Sequence, residues 1–166
     1  KPDLQPALRY EPRGAARKLL LSQEKEVLIS GPAGTGKTLA GLWKLHFYCS
    51  RVPRLRAMIT RRTRASLTQS ALVTFERDVL PDGHPARQGP ARNNRESYRY
   101  PNGSEITLGG LDMASRIMSS DYDLIYIPEA TEIAEDAWES LATRLRNGRL
   151  GYQQLLADCN PDRPNH

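Results

Sequence analysis

Apolar residues follow two patterns along the chain. Short apolar runs predict buried strands, and they lie at 26–30, 55–60, 124–127 and 154–157. Between these runs, apolar residues recur every three or four positions, which predicts amphipathic helices at 39–47, 67–79 and 133–145. Strands that alternate with helices predict an α/β fold with a mostly parallel sheet and right-handed crossovers.

Proline, glycine and polar residues mark the segments between these elements. Residues 1–14 contain three prolines and predict an extended arm, with a short helix to follow before residue 22. The polar stretch 82–95 predicts a long mobile loop. Two alternating segments around Pro101, Asn102 and Gly103 predict a β-hairpin inserted before the strand at 124–127.

Residues 31–38 match the phosphate-binding pattern G-x-x-x-x-G-K-[ST] at every fixed position. Its glycines allow a tight turn whose backbone N–H groups can surround a phosphate. A strand before the motif and a helix after it are the context that this pattern requires. We therefore predict that the loop binds a nucleoside triphosphate through Gly31, Pro32, Ala33, Gly34, Thr35, Gly36, Lys37 and Thr38. Within it, Lys37 would reach the β- and γ-phosphates and Thr38 would ligate Mg²⁺.

The base of the nucleotide needs a contact outside this loop. Arg13 and Arg17 precede the first strand, and either guanidinium could stack on a base. A plain surface role is the alternative for each of them.

Hydrolysis also needs an acid that orients and deprotonates the attacking water. Glu129 follows the apolar run 124–127, and the carboxyl end of such a strand faces the ligand in an α/β sheet. The position before it, where an aspartate usually holds Mg²⁺ through water, is Pro128. Two hypotheses follow: Thr38, the phosphates and water hold the metal alone, or Asp158 at the end of a neighbouring strand completes the outer shell.

An arginine is expected to neutralise the charge that develops on the γ-phosphoryl group. Arg116, Arg144 and Arg146 are the candidates. Arg116 is favoured because it lies in the crossing just before the central strand, from which it could project into a neighbouring subunit.

Composition adds limits to this prediction. The net charge is +5, and Arg61, Arg62 and Arg64 crowd the end of the second strand, which suits contact with a nucleotide or with a neighbouring chain. Cys49 and Cys159 have no metal-ligand spacing and are expected to be two reduced thiols. No run of about 18 apolar residues occurs, so a soluble cytoplasmic protein is expected.

Several segments together resemble the ATPase domain of the large terminase subunit of tailed bacteriophages. They lie at 31–38, 59–70, 100–106, 115–132 and 158–161. The resemblance implies a three-layer P-loop NTPase fold of the additional-strand, catalytic-glutamate class. It also implies ATP hydrolysis that drives double-stranded DNA into a procapsid through a portal.

The resemblance assigns roles to individual residues. Lys37 and Thr38 match the residues for phosphate and Mg²⁺, Glu129 the catalytic acid, and Arg116, by position only, the intersubunit arginine. Asp158, Asn160 and Pro161 match the motif that couples hydrolysis to movement. The family also implies a homo-oligomeric ring, a portal and a small terminase subunit as partners, and transient docking on the procapsid in the host cytoplasm. We expect residues 1–166 to be an ATPase domain without the family's C-terminal nuclease domain and lid.

Two other functions stay open at this level. The loop is also common in PhoH-like and superfamily 1 helicase ATPases, although these usually carry an aspartate where this chain has Pro128. A nucleotide-binding assembly module with little hydrolysis is the second alternative.

Overall fold

The computed structural model describes residues 10–32 and 35–161, apart from the side chain of residue 116. The helices are α1 (Ala15–Leu21), α2 (Lys37–Arg51), α3 (Arg64–Gln69), α4 (Ala71–Thr74), α5 (Ala114–Ile117) and α6 (Glu135–Ala142). The strands are β1 (Glu26–Ser30), β2 (Arg56–Arg61), β3 (Ser97–Arg99), β4 (Glu105–Gly110), β5 (Leu124–Ile127) and β6 (Gln154–Cys159). The predicted arm falls largely on residues 1–9, outside the described part.

Six described strands form one sheet in the order β1-β6-β5-β2-β4-β3. Every neighbouring pair is parallel except β3 with β4, which is the predicted hairpin. The hairpin is more than an insertion, because β4 pairs in parallel with β2 and so extends the main sheet.

Side chains of alternate strand residues enter two separate cores, one on each face of the sheet. Leu124 and Tyr126 of β5 face a core shared with α1, α2, α3 and α4. Ile125 and Ile127 face a second core that includes Ile117 of α5 and Leu141 of α6. Helices therefore cover both faces, and the predicted three-layer α/β fold is confirmed.

One prediction about the middle of the chain was wrong, and a second was incomplete. The helix expected over 67–79 is interrupted at Ser70, whose backbone angles of φ −125° and ψ −82° are not helical, and it ends in a π-helical turn at Phe75–Val79. The loop expected at 82–95 contains helical turns at Pro85–Arg87 and Arg92–Asn94. Arg95 holds this segment in place, because its buried guanidinium donates to the carbonyl oxygens of Arg87 and Gln88 at 2.7 and 3.1 Å.

Lys44 is a buried cation in the middle of α2. Its ammonium donates to the carbonyl oxygens of Leu19 and Ser22 and to Oε1 of Gln154, at 2.8, 2.7 and 2.6 Å. All three donors are therefore satisfied, as a buried ammonium requires. The bonds tie α2 to α1 and to β6, and so they hold the helix that follows the phosphate-binding loop.

Both cysteines are free thiols, as predicted, and both are buried, Cys49 within α2 and Cys159 at the end of β6. Within residues 10–32 and 35–161, no helix is long and apolar enough to cross a bilayer.

His46 makes stability sensitive to acid. Its Nδ1 lies 2.8 Å from the Tyr100 hydroxyl oxygen, and its ring centroid lies 5.4 Å from that of His84. Burial and, to a lesser degree, His84 lower the pKa of His46 to about 4, from 6.5 in an exposed histidine. Between these values the unfolded chain binds more protons than the folded one, so stability falls as the pH falls.

Between pH 6.5 and pH 4, we expect the titration of His46 to lower the free energy of unfolding by up to about 3 kcal/mol. Urea unfolding at a series of pH values measures this drop, and His46→Gln should make it shallower. Carboxylates titrate in the same range in both proteins, so the difference between the two curves isolates His46. Identical pH dependence in the two proteins would contradict the assignment.

Candidate active site

The carboxyl ends of the parallel strands β1, β6, β5 and β2 lie along one edge of the sheet. In open α/β sheets this edge holds the ligand. The loop at 31–36 leaves β1 here, Asp158 lies near the end of β6, and Glu129 follows β5 by two residues. Residues predicted from distant parts of the sequence therefore meet at one edge.

The phosphate-binding loop leads directly into α2. Gly36 has φ 79° and ψ 16°, a left-handed conformation that glycine adopts without strain, and α2 begins at the next residue. The Lys37 ammonium donates to the carbonyl oxygens of Gly31 and Pro32 at 2.5 and 2.7 Å, so it folds back over the loop. The amino end of this 15-residue helix adds its positive dipole end to the same place. Ala33 and Gly34 lie outside the described residues.

Glu129 occupies an unusual backbone conformation. Its φ of 54° and ψ of 53° are left-handed, which costs a non-glycine residue about 1–2 kcal/mol. Its backbone N–H donates to Oδ1 of Asp158 at 3.1 Å, and a short helical turn at Ala130–Glu132 follows. Contacts from a neighbouring strand therefore hold the predicted catalytic acid in a conformation that the local sequence does not favour.

Asp158 lies at the centre of this edge and is only 2 % exposed. Its Oδ2 accepts a hydrogen bond from the Tyr126 hydroxyl and lies 3.5 Å from Oγ1 of Thr38. Burial, and then the neighbouring Asp158 carboxylate, raise the pKa of Tyr126 well above its ordinary value, so this hydroxyl stays protonated and donates. One carboxylate thus touches the phosphate-binding loop, β5 and the backbone of Glu129.

The rest of the predicted coupling motif follows Asp158. Asn160 is half-buried, and Pro161 is exposed and lines a groove of 540 Å³ with Leu28 and Trp138. No described contact joins either residue to Glu129, so their predicted role stays a prediction.

Arg13 lines a cavity of 260 Å³ together with Gly31, Pro32, Thr35 and Lys37. The structure thus places this predicted base contact directly beside the phosphate-binding loop. Arg17, the other candidate, does not line this cavity, and it lines a groove of 840 Å³ whose walls include Trp43 and also Arg13. The geometry favours Arg13 over Arg17 as the base contact.

Two arginines at the end of β2 have structural partners, contrary to the expectation that they face a nucleotide or another chain. Arg61 is 8 % exposed and forms an ion pair with Glu132 at 2.9 Å. Arg64 donates to Thr68 and to the carbonyl oxygens of Arg92 and Arg95, the latter two at 3.1 and 2.6 Å. Of the predicted set Arg61, Arg62 and Arg64, only Arg62 is exposed.

The three candidate arginines for the γ-phosphoryl group lie in different places. Arg144 donates to the carbonyl oxygen of Met118 at 3.1 Å, and Arg146 donates to Asp121 at 3.0 Å. Both lie near the amino end of β5, away from the Glu129 edge. Arg116 belongs to α5, which follows the carboxyl end of β4, and its side chain lies outside the described part.

Sequence reasoning missed Tyr126, which it counted as part of an apolar strand. Its ring packs against Gly41 of α2, where a Cβ atom would lie 2.5 Å from Tyr126 Cζ. A glycine inside a helix costs about 1 kcal/mol relative to alanine and often marks a close approach of this kind. Gly41 therefore indicated a close contact from the sequence alone, although the sequence did not identify Tyr126 as the residue in contact.

Comparison with protein families matches residues 28–166 to the N-terminal region of the terminase large subunit of the T4-like-virus type. No curated protein sequence matches the chain.

Three solved structures share the fold. The large terminase from a thermophilic bacteriophage matches with a TM-score of 0.67 and 15% identity, over 88% of this chain and 38% of that chain. The Thermus phage P74-26 large terminase ATPase domain matches with a TM-score of 0.65 and 18% identity, over 92% of this chain and 66% of that one. The large terminase of the first phage in complex with ATP-gamma-S matches with a TM-score of 0.60 and 12% identity, over 87% of this chain and 36% of that chain. The chain thus spans 36–66% of the length of these proteins.

Proposed function

Since this chain belongs to the family of terminase large subunits, we propose that it hydrolyses ATP to drive double-stranded DNA into a procapsid. The observation that carries the proposal is the meeting of the phosphate-binding loop, Asp158 and Glu129 at one sheet edge. The portal, a small terminase subunit and other copies of the chain in a ring are its proposed partners, with the procapsid in the host cytoplasm as its place of action.

In the proposed reaction, the backbone N–H groups of residues 31–38 bind the phosphates. The Lys37 ammonium exchanges its two loop carbonyl oxygens for phosphate oxygens, and Arg13 packs against the base. The Glu129 carboxylate accepts a proton from the attacking water. Arg116 of a neighbouring copy then meets the charge that develops on the transferred group.

The residues present fit Mg²⁺. This ion prefers oxygen ligands, keeps several waters and usually takes one or two carboxylates together with substrate phosphates. Thr38 and Asp158 supply a hydroxyl and a carboxylate 3.5 Å apart, and the described residues contain no cluster of three or more His, Cys, Asp or Glu side chains for a metal. Bound Mg²⁺ would neutralise phosphate charge, with Thr38 as its direct ligand and Asp158 in its outer shell.

The family match favours this function over the helicase alternative. ATP turnover of the chain alone, with double-stranded DNA, and with DNA and procapsids tests it, and we expect the largest turnover with all components present. Strand separation by the chain would support a helicase instead. Nucleotide binding without turnover under every condition would support an assembly module.

A further inference from the structure

The Asp158 carboxylate connects three parts of the candidate site that lie far apart in the sequence. Oδ2 contacts Thr38 and Tyr126, which are 120 and 32 residues away, and Oδ1 accepts from the backbone of Glu129. The contact to Thr38 is long, at 3.5 Å, so the Tyr126 hydroxyl is the principal donor to Oδ2. Because a buried carboxylate is costly without donors, the orientation of Asp158 depends on this hydroxyl.

Packing fixes the position of the Tyr126 hydroxyl. The residue is 1 % exposed, and its ring lies against Gly41 one turn along α2 from Thr38. No side chain larger than the glycine hydrogen fits at position 41, so strand and helix hold the ring between them. The hydroxyl therefore has little freedom to leave Asp158.

The register of the sheet places Tyr126 and Asp158 beside position 128, where this chain has a proline instead of the expected aspartate. Ile127 of β5 pairs with Ala157 of β6, so Pro128 lies opposite Asp158 one step further on. Proline has no side chain that can accept a hydrogen bond or reach a metal shell. Asp158 offers a carboxylate from the adjacent strand β6, which lies between β5 and β1, and its Oδ2 lies 3.5 Å from Oγ1 of Thr38.

We propose that Tyr126 is a positioning residue that aims the Asp158 carboxylate at Thr38 and at the backbone of Glu129, so that this pair replaces the aspartate absent at Pro128. The inference rests on the proposed function, since it assumes a nucleotide with Mg²⁺ at the loop. In this role Tyr126 is not itself a ligand of the nucleotide or of the metal, and its hydroxyl contacts the side chains of Asp158 and Thr38. Its hydroxyl acts through Asp158 on the metal side and on the Glu129 side together.

Tyr126→Phe tests this role, because it removes the hydroxyl and keeps the packed ring. The measurement is the affinity of the chain for ADP by titration calorimetry, with and without Mg²⁺, which needs no turnover. We expect the Mg²⁺-induced gain in ADP affinity to fall about tenfold or more, as for other losses of a residue that orients a metal ligand. ADP affinity without Mg²⁺ should stay within about twofold of wild type, because Lys37 and the loop backbone are unchanged.

Tyr122→Phe is the matched control. Tyr122 is also fully buried, but its hydroxyl donates to the carbonyl oxygen of Ile117 at 3.3 Å in the core on the other face of the sheet. The Tyr122→Phe variant should lose about as much stability as Tyr126→Phe and keep the full Mg²⁺-induced gain in ADP affinity. Gly41→Ala provides a second route, because its methyl group would displace the Tyr126 ring and should reproduce the Tyr126→Phe loss.

A wild-type Mg²⁺ response in Tyr126→Phe would overturn the inference, and so would an ADP affinity of the wild type that does not respond to Mg²⁺. Failure of the proposed function would look different. In that case the Mg²⁺ response of ADP affinity would still differ between the wild type and Tyr126→Phe as expected. The wild type would, however, show no ATP turnover with DNA and procapsids.

Discussion

Glu129→Gln is expected to lower ATP turnover by about 10²–10⁴-fold, the usual contribution of a general base. Glutamine has nearly the same shape but cannot accept the proton of the attacking water. The backbone N–H of residue 129, which Asp158 holds, is unchanged by the substitution, so the turn after β5 should keep its conformation. Nucleotide affinity should stay within about threefold of wild type, because Lys37 and Thr38 are untouched.

The measurement compares the steady-state ATP turnover and the ADP affinity of Glu129→Gln with those of the wild type, in the presence of DNA and procapsids. Glu135→Gln is a suitable control, since Glu135 is exposed in the first turn of α6, six residues further along the chain. It makes the same change of charge and should leave turnover near the wild-type value. If Glu129→Gln retained wild-type turnover, another group would have to activate the water.

Arg116→Ala is expected to reduce turnover by about 10³–10⁵-fold, the effect of losing an arginine that meets the charge on the γ-phosphoryl group. The structure supports this choice in two ways. Arg144 and Arg146 have partners near the amino end of β5, whereas α5 follows the carboxyl end of β4. In the proposed ring, Arg116 would reach a neighbouring copy from this edge of the sheet.

A mixing experiment tests whether the arginine acts between subunits. Arg116→Ala chains retain Glu129, and Glu129→Gln chains retain Arg116, so a mixed assembly contains some complete sites. Turnover should therefore return when the two inactive proteins are combined with DNA and procapsids. Absence of recovery would argue against action in trans.

Arg144→Ala serves as the control for the loss of a guanidinium. Arg144 is half-buried and donates to the carbonyl oxygen of Met118, so its removal should affect stability more than turnover. A loss of turnover equal to that of Arg116→Ala would move the assignment to Arg144.

Much of the local structure could be predicted because it depends on residues close together in the chain. The bounds of β1 and β5 were predicted to the residue. The phosphate-binding loop was predicted from its own residues, and the position of Glu129 from the end of β5. The break at Ser70 was not predicted, because the apolar spacing of 67–79 continues across it. Periodicity reports which residues face the core, and it does not report backbone angles.

Charge was the least reliable guide to the site. The arginines at the end of β2 suggested phosphate contact, yet Arg61 pairs with Glu132 and Arg64 binds backbone carbonyl oxygens. A guanidinium that binds a phosphate and one that binds protein oxygens look the same in a sequence. Only the positions of the acceptors distinguish them.

The sequence by itself determined that this chain has a phosphate-binding loop between a strand and a helix, and an acid at the end of an apolar strand. These features are local, and each one needs only a few neighbouring residues to be recognised. The tertiary structure decided that β6 lies between β1 and β5, which brings Asp158 to Thr38, Tyr126 and Glu129 across as many as 120 residues of sequence. Strand order depends on how whole faces pack against each other, so the sequence left Asp158 as one of two hypotheses and did not indicate that Tyr126 lies against it.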